Sequence, residues 1–224
     1  MASYPPWGMR GPSAIARWAL RTQTAAVTIE GTEHVPASGP VLLIARHYHH
    51  LLDGSVLVDR LPRPVHIVVG LDWAPNRAVR AVMETACRLA GYPIVLRPQT
   101  IDGAPAYSRA DVLRYTRAAL RDTTRLLQAG RVVLLFPEGY PTIDPSGSRK
   151  RDDDAFLPFA PGLGAIVDRA RRAGVDELKI VPVGFTYART QDDRWRISAR
   201  IGAPLGPATP PGEIEHAVRL LSRG

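Results

Sequence analysis

Three of the six histidines in this 224-residue chain fall within the run Arg46-His47-Tyr48-His49-His50-Leu51-Leu52-Asp53-Gly54. A neutral imidazole can take the proton of an attacking hydroxyl, and a carboxylate on its other ring nitrogen fixes the tautomer and stabilises the imidazolium. Asp53 is the carboxylate in either pairing. Its partner is His47 at the strand end or His49, which lies four residues before Asp53 on one face if the segment is already helical. His50 stands beside that face rather than on it. The same residues also read as a solvated His-rich turn or a zinc site.

Two further polar islands stand out. Phe136-Pro137-Glu138-Gly139 is a turn carrying a carboxylate, and Gly91-Tyr92-Pro93-Ile94-Val95-Leu96-Arg97 delivers an arginine suited to bidentate capture of a phosphate. Taken singly, each has a plain reading as a turn or a surface arginine. The lone cysteine, Cys87, sits in an apolar stretch and reads as a small buried hydrophobe rather than a nucleophile.

All three islands follow apolar segments that must position them. Val41 to Ala45 is apolar throughout, as suits a strand buried on both faces, and the histidine run comes directly behind it. Val132 to Phe136 reads the same way before Glu138, and Pro93 to Leu96 is a short strand before Arg97. Between them, Val79, Val82, Met83, Ala86 and Ala90 recur at helical spacing up to a stop at Gly91. Ser108 and Asp111 start a helix that Gly130 ends. The remaining expected elements are a helix over 12–22, a strand from Ala26 to Glu30, one strand from His66 to Gly70, a helix through Leu163 to Ala170, a strand from Ile180 to Tyr187, and a helix over 212–222. Trp195, Ile197, Ala199 and Ile201 alternate as an edge strand would. This succession predicts an α/β fold, a central, mostly parallel mixed sheet flanked by helices with the islands gathered at one edge. Residues 1–26 read as an N-terminal helical segment and 27–224 as the main domain.

Lys and Arg number 29 against 21 Asp and Glu, an excess that favours polyanionic partners: nucleic acid, anionic lipid or a phosphorylated cofactor. No zinc-ligand spacing, P-loop, dinucleotide fingerprint or RNA-reading motif accompanies that charge, so nucleic acid is not expected. No run approaches the roughly 20 apolar residues needed to span a bilayer, and no secretory apolar region opens the chain. With one cysteine, a reducing, cytoplasmic setting is expected. Trp7, Trp18 and Leu20, beside Arg10, Arg17 and Arg21, suit a helix docked on an anionic membrane surface or, equally, one packed on the domain.

In their order, the islands resemble the glycerolipid acyltransferase family typified by 1-acylglycerol-3-phosphate acyltransferases, over residues 27 to 206. That family's blocks match Gly39-Pro40 with His47 and Asp53, Gly91 with Arg97, Phe136 to Gly139, and Ile180-Val181-Pro182-Val183. The resemblance implies a His/Asp pair as base and orienter. It also implies that Arg97 binds the acceptor phosphate in a site shaped by Gly91, Phe136, Pro137, Glu138 and Gly139. The donor would be acyl-CoA or acyl carrier protein, the acceptor a lysophospholipid, with no cofactor or metal, at the inner face of the membrane. Two departures matter. One residue too many separates His47 from Asp53, and the family's Phe-Lys-x-Gly appears as Phe159-Ala160-Pro161-Gly162 without its lysine. The loop from Tyr140 to Asp154 is longer than usual, and its Arg149, Lys150 and Arg151 either supply that cation or are solvated. Two rivals remain open: His49 to Gly54 also fits the His-x-x-x-Asp-Gly of chloramphenicol-acetyltransferase-like enzymes, and a catalytically silent membrane-binding module would need only the basic surface.

Overall fold

Helix α1 (Arg10–Gln23) runs directly into strand β1 (Thr24–Glu30), followed by β2 (Val41–Ala45), α2 (Leu52–Arg60), β3 (Val65–Ile67), β4 (Val69–Gly70) and α3 (Arg77–Ala90). Next come β5 (Ile94–Val95), α4 (Arg109–Gln128), β6 (Val132–Leu135), α5 (Gly162–Arg172), β7 (Lys179–Arg189), β8 (Trp195–Ile201) and α6 (Pro211–Leu221). This computed structural model describes residues 10–99, 101, 106–145, 147–151 and 155–223. Local chemistry sets several boundaries: Asn76 accepts from the Val79 amide to start α3, Gly91 ends it in left-handed backbone at φ 66°, and Ser108 and Asp111 form a reciprocal capping box for α4.

Six strands form one sheet in the order β1-β8-β7-β2-β6-β3, in which only the β7–β8 pair is antiparallel. The mostly parallel mixed sheet flanked by helices is therefore present. Alternation along β2 divides the core. Val41, Leu43 and Ala45 pack with Ala19 and Leu20 of α1 and Leu52 and Val56 of α2, whereas Leu42 and Ile44 pack with Leu126 of α4, Leu163 and Ile166 of α5 and Val218 of α6. All five β2 residues are fully buried, as a strand covered on both faces must be. A third apolar cluster, around Leu71, Cys87 and Leu96, lies under α3, β4 and β5.

Three expectations need correction. The segment expected as one strand, His66 to Gly70, divides at Val68: its amide still bonds Leu134 O of the main sheet, but the Val69 amide turns to Pro93 O, and β4 pairs with β5 in a separate two-stranded sheet. Strand β8 is not at the edge, because β1 pairs outside it; its alternating burial reports one uncovered face, not an unpaired side. Leu20 is buried in the core and faces no membrane, whereas Trp18 is 60% exposed; Trp7 lies outside the described residues.

Candidate active site

Parallel strands β2 and β6 end side by side, with Ile44 opposite Leu135, so the residues that follow each strand meet at the carboxyl end of the sheet. There the His47 ring stacks on Phe136 at 4.1 Å between centroids, and its Nδ1 lies 3.0 Å from Asp53 Oδ2. Asp53, in the first turn of α2, has no exposed side-chain surface; His47 keeps 14%. An ionised carboxylate only accepts, so Nδ1 carries the hydrogen and donates it, leaving Nε2 as the basic nitrogen. Oδ2 also accepts from the amides of Tyr48 at 2.7 Å and His49 at 2.9 Å.

Helix α2 begins only at Leu52, so Tyr48 to Leu51 is not helical and the geometry that would pair the His49 ring with Asp53 does not arise. His49 instead turns its Nδ1 toward the amides of Leu51 and Leu52, each at 3.3 Å, where only a neutral ring can accept. Burial, reinforced by neighbouring His50, pushes its pKa down from 6.5 to about 4. His50 places Nδ1 3.2 Å from Ile143 O. The three rings thus face three different partners, and among the described residues no group of three His, Cys, Asp or Glu side chains is arranged to hold a metal ion.

Glu138 has no exposed side-chain surface, and both its oxygens are engaged. Oε1 accepts from the His47 amide at 2.9 Å, while Oε2 accepts from the Leu157 amide at 3.0 Å and meets Lys150 Nζ at 2.7 Å. What Glu138 shapes, then, is the backbone that carries His47. Lys150 also donates to His47 O at 2.6 Å. Of the alternatives for the long loop, Lys150 is not solvated: its side chain is wholly buried, and burial lowers its pKa while Glu138 opposes that shift. Gly139 takes left-handed backbone at φ 73°, and Pro137 O accepts from the Ala160 amide.

Arg97 arrives from β5 with Nε 2.8 Å and Nη2 2.7 Å from Asp72 Oδ2, and with Nη1 donating to Gly139 O at 3.0 Å. Its guanidinium lies over Tyr140 at 4.5 Å. The structure therefore joins Arg97 to the Glu138-Gly139 turn, whereas Gly91 stands apart, capping α3 with its carbonyl 3.2 Å from His66 Nδ1. Sequence reasoning missed Asp72, which carried no motif, and Tyr187. The latter donates its hydroxyl to Asp53 Oδ1 at 2.5 Å from the far end of β7.

At 26% identity over 87% of this chain, it is similar to uncharacterized proteins of Mycobacterium tuberculosis and Mycobacterium bovis, and it spans 48% of their length. Its fold matches the crystal structure of the 1-acyl-sn-glycerophosphate acyltransferase PlsC from Thermotoga maritima, with a TM-score of 0.59 at 15% identity, covering 95% of this chain and 77% of that one. The family model described as Acyltransferase matches residues 26–186, from within β1 into β7, a stretch that takes in His47, Asp53, Arg97 and Glu138. On a match of that extent, the chain belongs to the acyltransferase family.

Proposed function

We propose that this chain transfers a fatty acyl group from a thioester, acyl-CoA or acyl carrier protein, to the hydroxyl of a lysophospholipid such as 1-acylglycerol-3-phosphate. The observation that carries the reading is the His47–Asp53 bond, which leaves Nε2 of a partly exposed ring as the basic nitrogen beside a family-typical turn. The acceptor oxygen bonds to the thioester carbonyl carbon as its proton passes to Nε2. When the tetrahedral adduct collapses, the carbon–sulfur bond breaks and the imidazolium returns the proton to the departing thiolate. Asp53 holds the tautomer, and Glu138 with Lys150 clamps the backbone of His47 from behind. In this reading Arg97, whose guanidinium Asp72 and Gly139 O hold beside the Glu138-Gly139 turn, binds the acceptor phosphate.

A lipid acceptor implies work at a bilayer. Among the described residues no helix is long and apolar enough to cross one. Support for a peripheral arrangement comes from α1, whose Ile15 and Trp18 are exposed among exposed Arg10, Arg17 and Arg21. In this reading the chain docks at the cytoplasmic face through that helix.

The test is acyl transfer from acyl-CoA to a panel of lysophospholipids, with His47→Ala, His49→Ala and Asp53→Asn compared at equal folded protein. His47→Ala and Asp53→Asn should each lower turnover by roughly 100-fold or more, and His49→Ala much less. A His47→Ala variant that loses only a few-fold would show the base to be elsewhere.

A further inference from the structure

Strand β7 does not stop where its pairing with β2 stops. That pairing ends at Val183, while β7 continues to Arg189 with β8 alone alongside it, and the overhang passes over the start of α2. Tyr187 sits on this overhang. Its ring stacks on Tyr48 at 4.3 Å and 9° between planes, with the edge of Trp195 against it at 5.5 Å. The hydroxyl reaches Asp53 Oδ1 at 2.5 Å. Asp53 thereby receives donors on both oxygens: His47 Nδ1, Tyr48 N and His49 N on Oδ2, and Tyr187 on Oδ1.

From this arrangement we infer that Tyr187 is a positioning residue of the catalytic pair, acting on His47 through Asp53; the inference rests on the functional reading above. Its physical basis is the charge of the pair. With the proton on it, His47 and Asp53 together are neutral; without it, they carry one negative charge in a place where Asp53 has no contact with water. A hydroxyl donated to Oδ1 favours the charged, base-competent state. Burial, with Asp53 adding to it, raises the Tyr187 pKa well above that of an ordinary phenol, so the group stays a neutral donor throughout the working range. Directionality is the second contribution. With Oδ1 held by Tyr187, the carboxylate plane is fixed and Oδ2 faces Nδ1, which aims Nε2.

Removing the hydroxyl leaves the pair holding its proton more tightly, whichever of the two side chains bears it, so the acid limb of activity moves to higher pH. The other charged and titratable groups around the pair are Arg46, Tyr48, His49 and His50 from the β2–α2 connection, Glu138 after β6, Lys150 from the long loop and Arg189 at the end of β7. They are the same in both proteins, so the difference between the two profiles isolates Tyr187.

The experiment is the pH dependence of kcat/KM for Tyr187→Phe, which keeps the ring stack, beside the unaltered chain and His47→Ala. The acid limb should move up by about one to two pH units, the loss being largest below the limb and recovering toward alkaline pH, with KM for both substrates within about two-fold. Introducing 3-fluorotyrosine at 187, a stronger donor of nearly the same shape, should move the limb the other way; this second variant serves if Tyr187→Phe does not fold. A limb that stays in place in either folded variant, or a loss equal at every pH, overturns the inference. If His47→Ala is itself fully active, the functional reading fails instead; if it is inactive and the Tyr187 profiles are unchanged, only the role of Tyr187 fails.

Discussion

Replacing His49 by Asn separates two roles a histidine in this place can have. The residue is 4% exposed, and its Nδ1 accepts from the amides of Leu51 and Leu52 where α2 begins. Protonation would turn that acceptor into a donor facing two donors. Its pKa of about 4 in the fold, against 6.5 unperturbed, corresponds to on the order of 3 kcal/mol. Between those values the unfolded chain binds a proton that the folded one refuses. Stability from this residue is therefore complete above the upper value and is lost as pH falls toward the lower one. Asn at 49 offers an amide oxygen to the same amides and does not titrate. In urea unfolding, the unaltered chain should lose about 2–3 kcal/mol more than His49→Asn between about pH 7 and about pH 4.5. His66, whose pKa burial also lowers, contributes equally to both proteins and cancels. Parallel stability curves would refute a neutral, helix-starting His49. Turnover near pH 7 should stay within a few-fold; a loss near 100-fold would make His49 the base after all.

Lys150→Met leaves Glu138 as a buried carboxylate without its cation and should cost about 3–5 kcal/mol in urea unfolding, whereas Lys150→Met with Glu138→Gln should recover a large part. A single variant as stable as the unaltered chain would remove the buried pair from the account. Arg97→Lys should raise KM for a phosphorylated acceptor by about tenfold or more and spare one lacking phosphate; equal effects on both would give Arg97 another role. Trp18→Ala should weaken sedimentation with anionic vesicles several-fold without changing stability, and unchanged sedimentation would leave α1 as a packed helix only.

The order of strands and helices was legible because period and punctuation report burial, and burial governs which segments can be strands. Val41–Ala45, apolar at every position, could only be covered on both faces, and it is. Sheet order was less legible. Alternation in Trp195–Ile201 reports one buried face and is silent about hydrogen-bonding neighbours, so the strand looked like an edge until β1 was found beside it. At the site, the candidate residues were recognisable by type and spacing, but their partners were not. Asp72 lies 25 positions from Arg97 and Tyr187 134 positions from Asp53, and neither type is distinctive in its own segment. Choosing between His47 and His49 required knowing where α2 starts. No strong capping residue marks that point; the His49 side chain itself supplies the acceptor.

The added residue between His47 and Asp53 and the long loop after Glu138 are physically connected. Extra backbone ahead of a helix brings extra amides and carbonyls that must be satisfied, and here the lengthened loop supplies their partners. The Thr142 amide bonds His47 O at 3.2 Å, the Ile143 amide bonds Tyr48 O at 2.7 Å, and the His50 amide bonds Ile143 O at 3.1 Å, so the added stretch lies beside the loop as a short parallel bridge. Farther along the same loop, Lys150 takes His47 O as well and neutralises Glu138, which in turn holds the His47 amide. His47 is thus fixed at its amide and its carbonyl by groups that all lie after β6, and at its ring by Asp53 and Phe136. With both ends of the peptide held, the longer connection to Asp53 keeps Tyr48 and His49 buried, their amides on Asp53 Oδ2, and the ring and the carboxylate keep their contact.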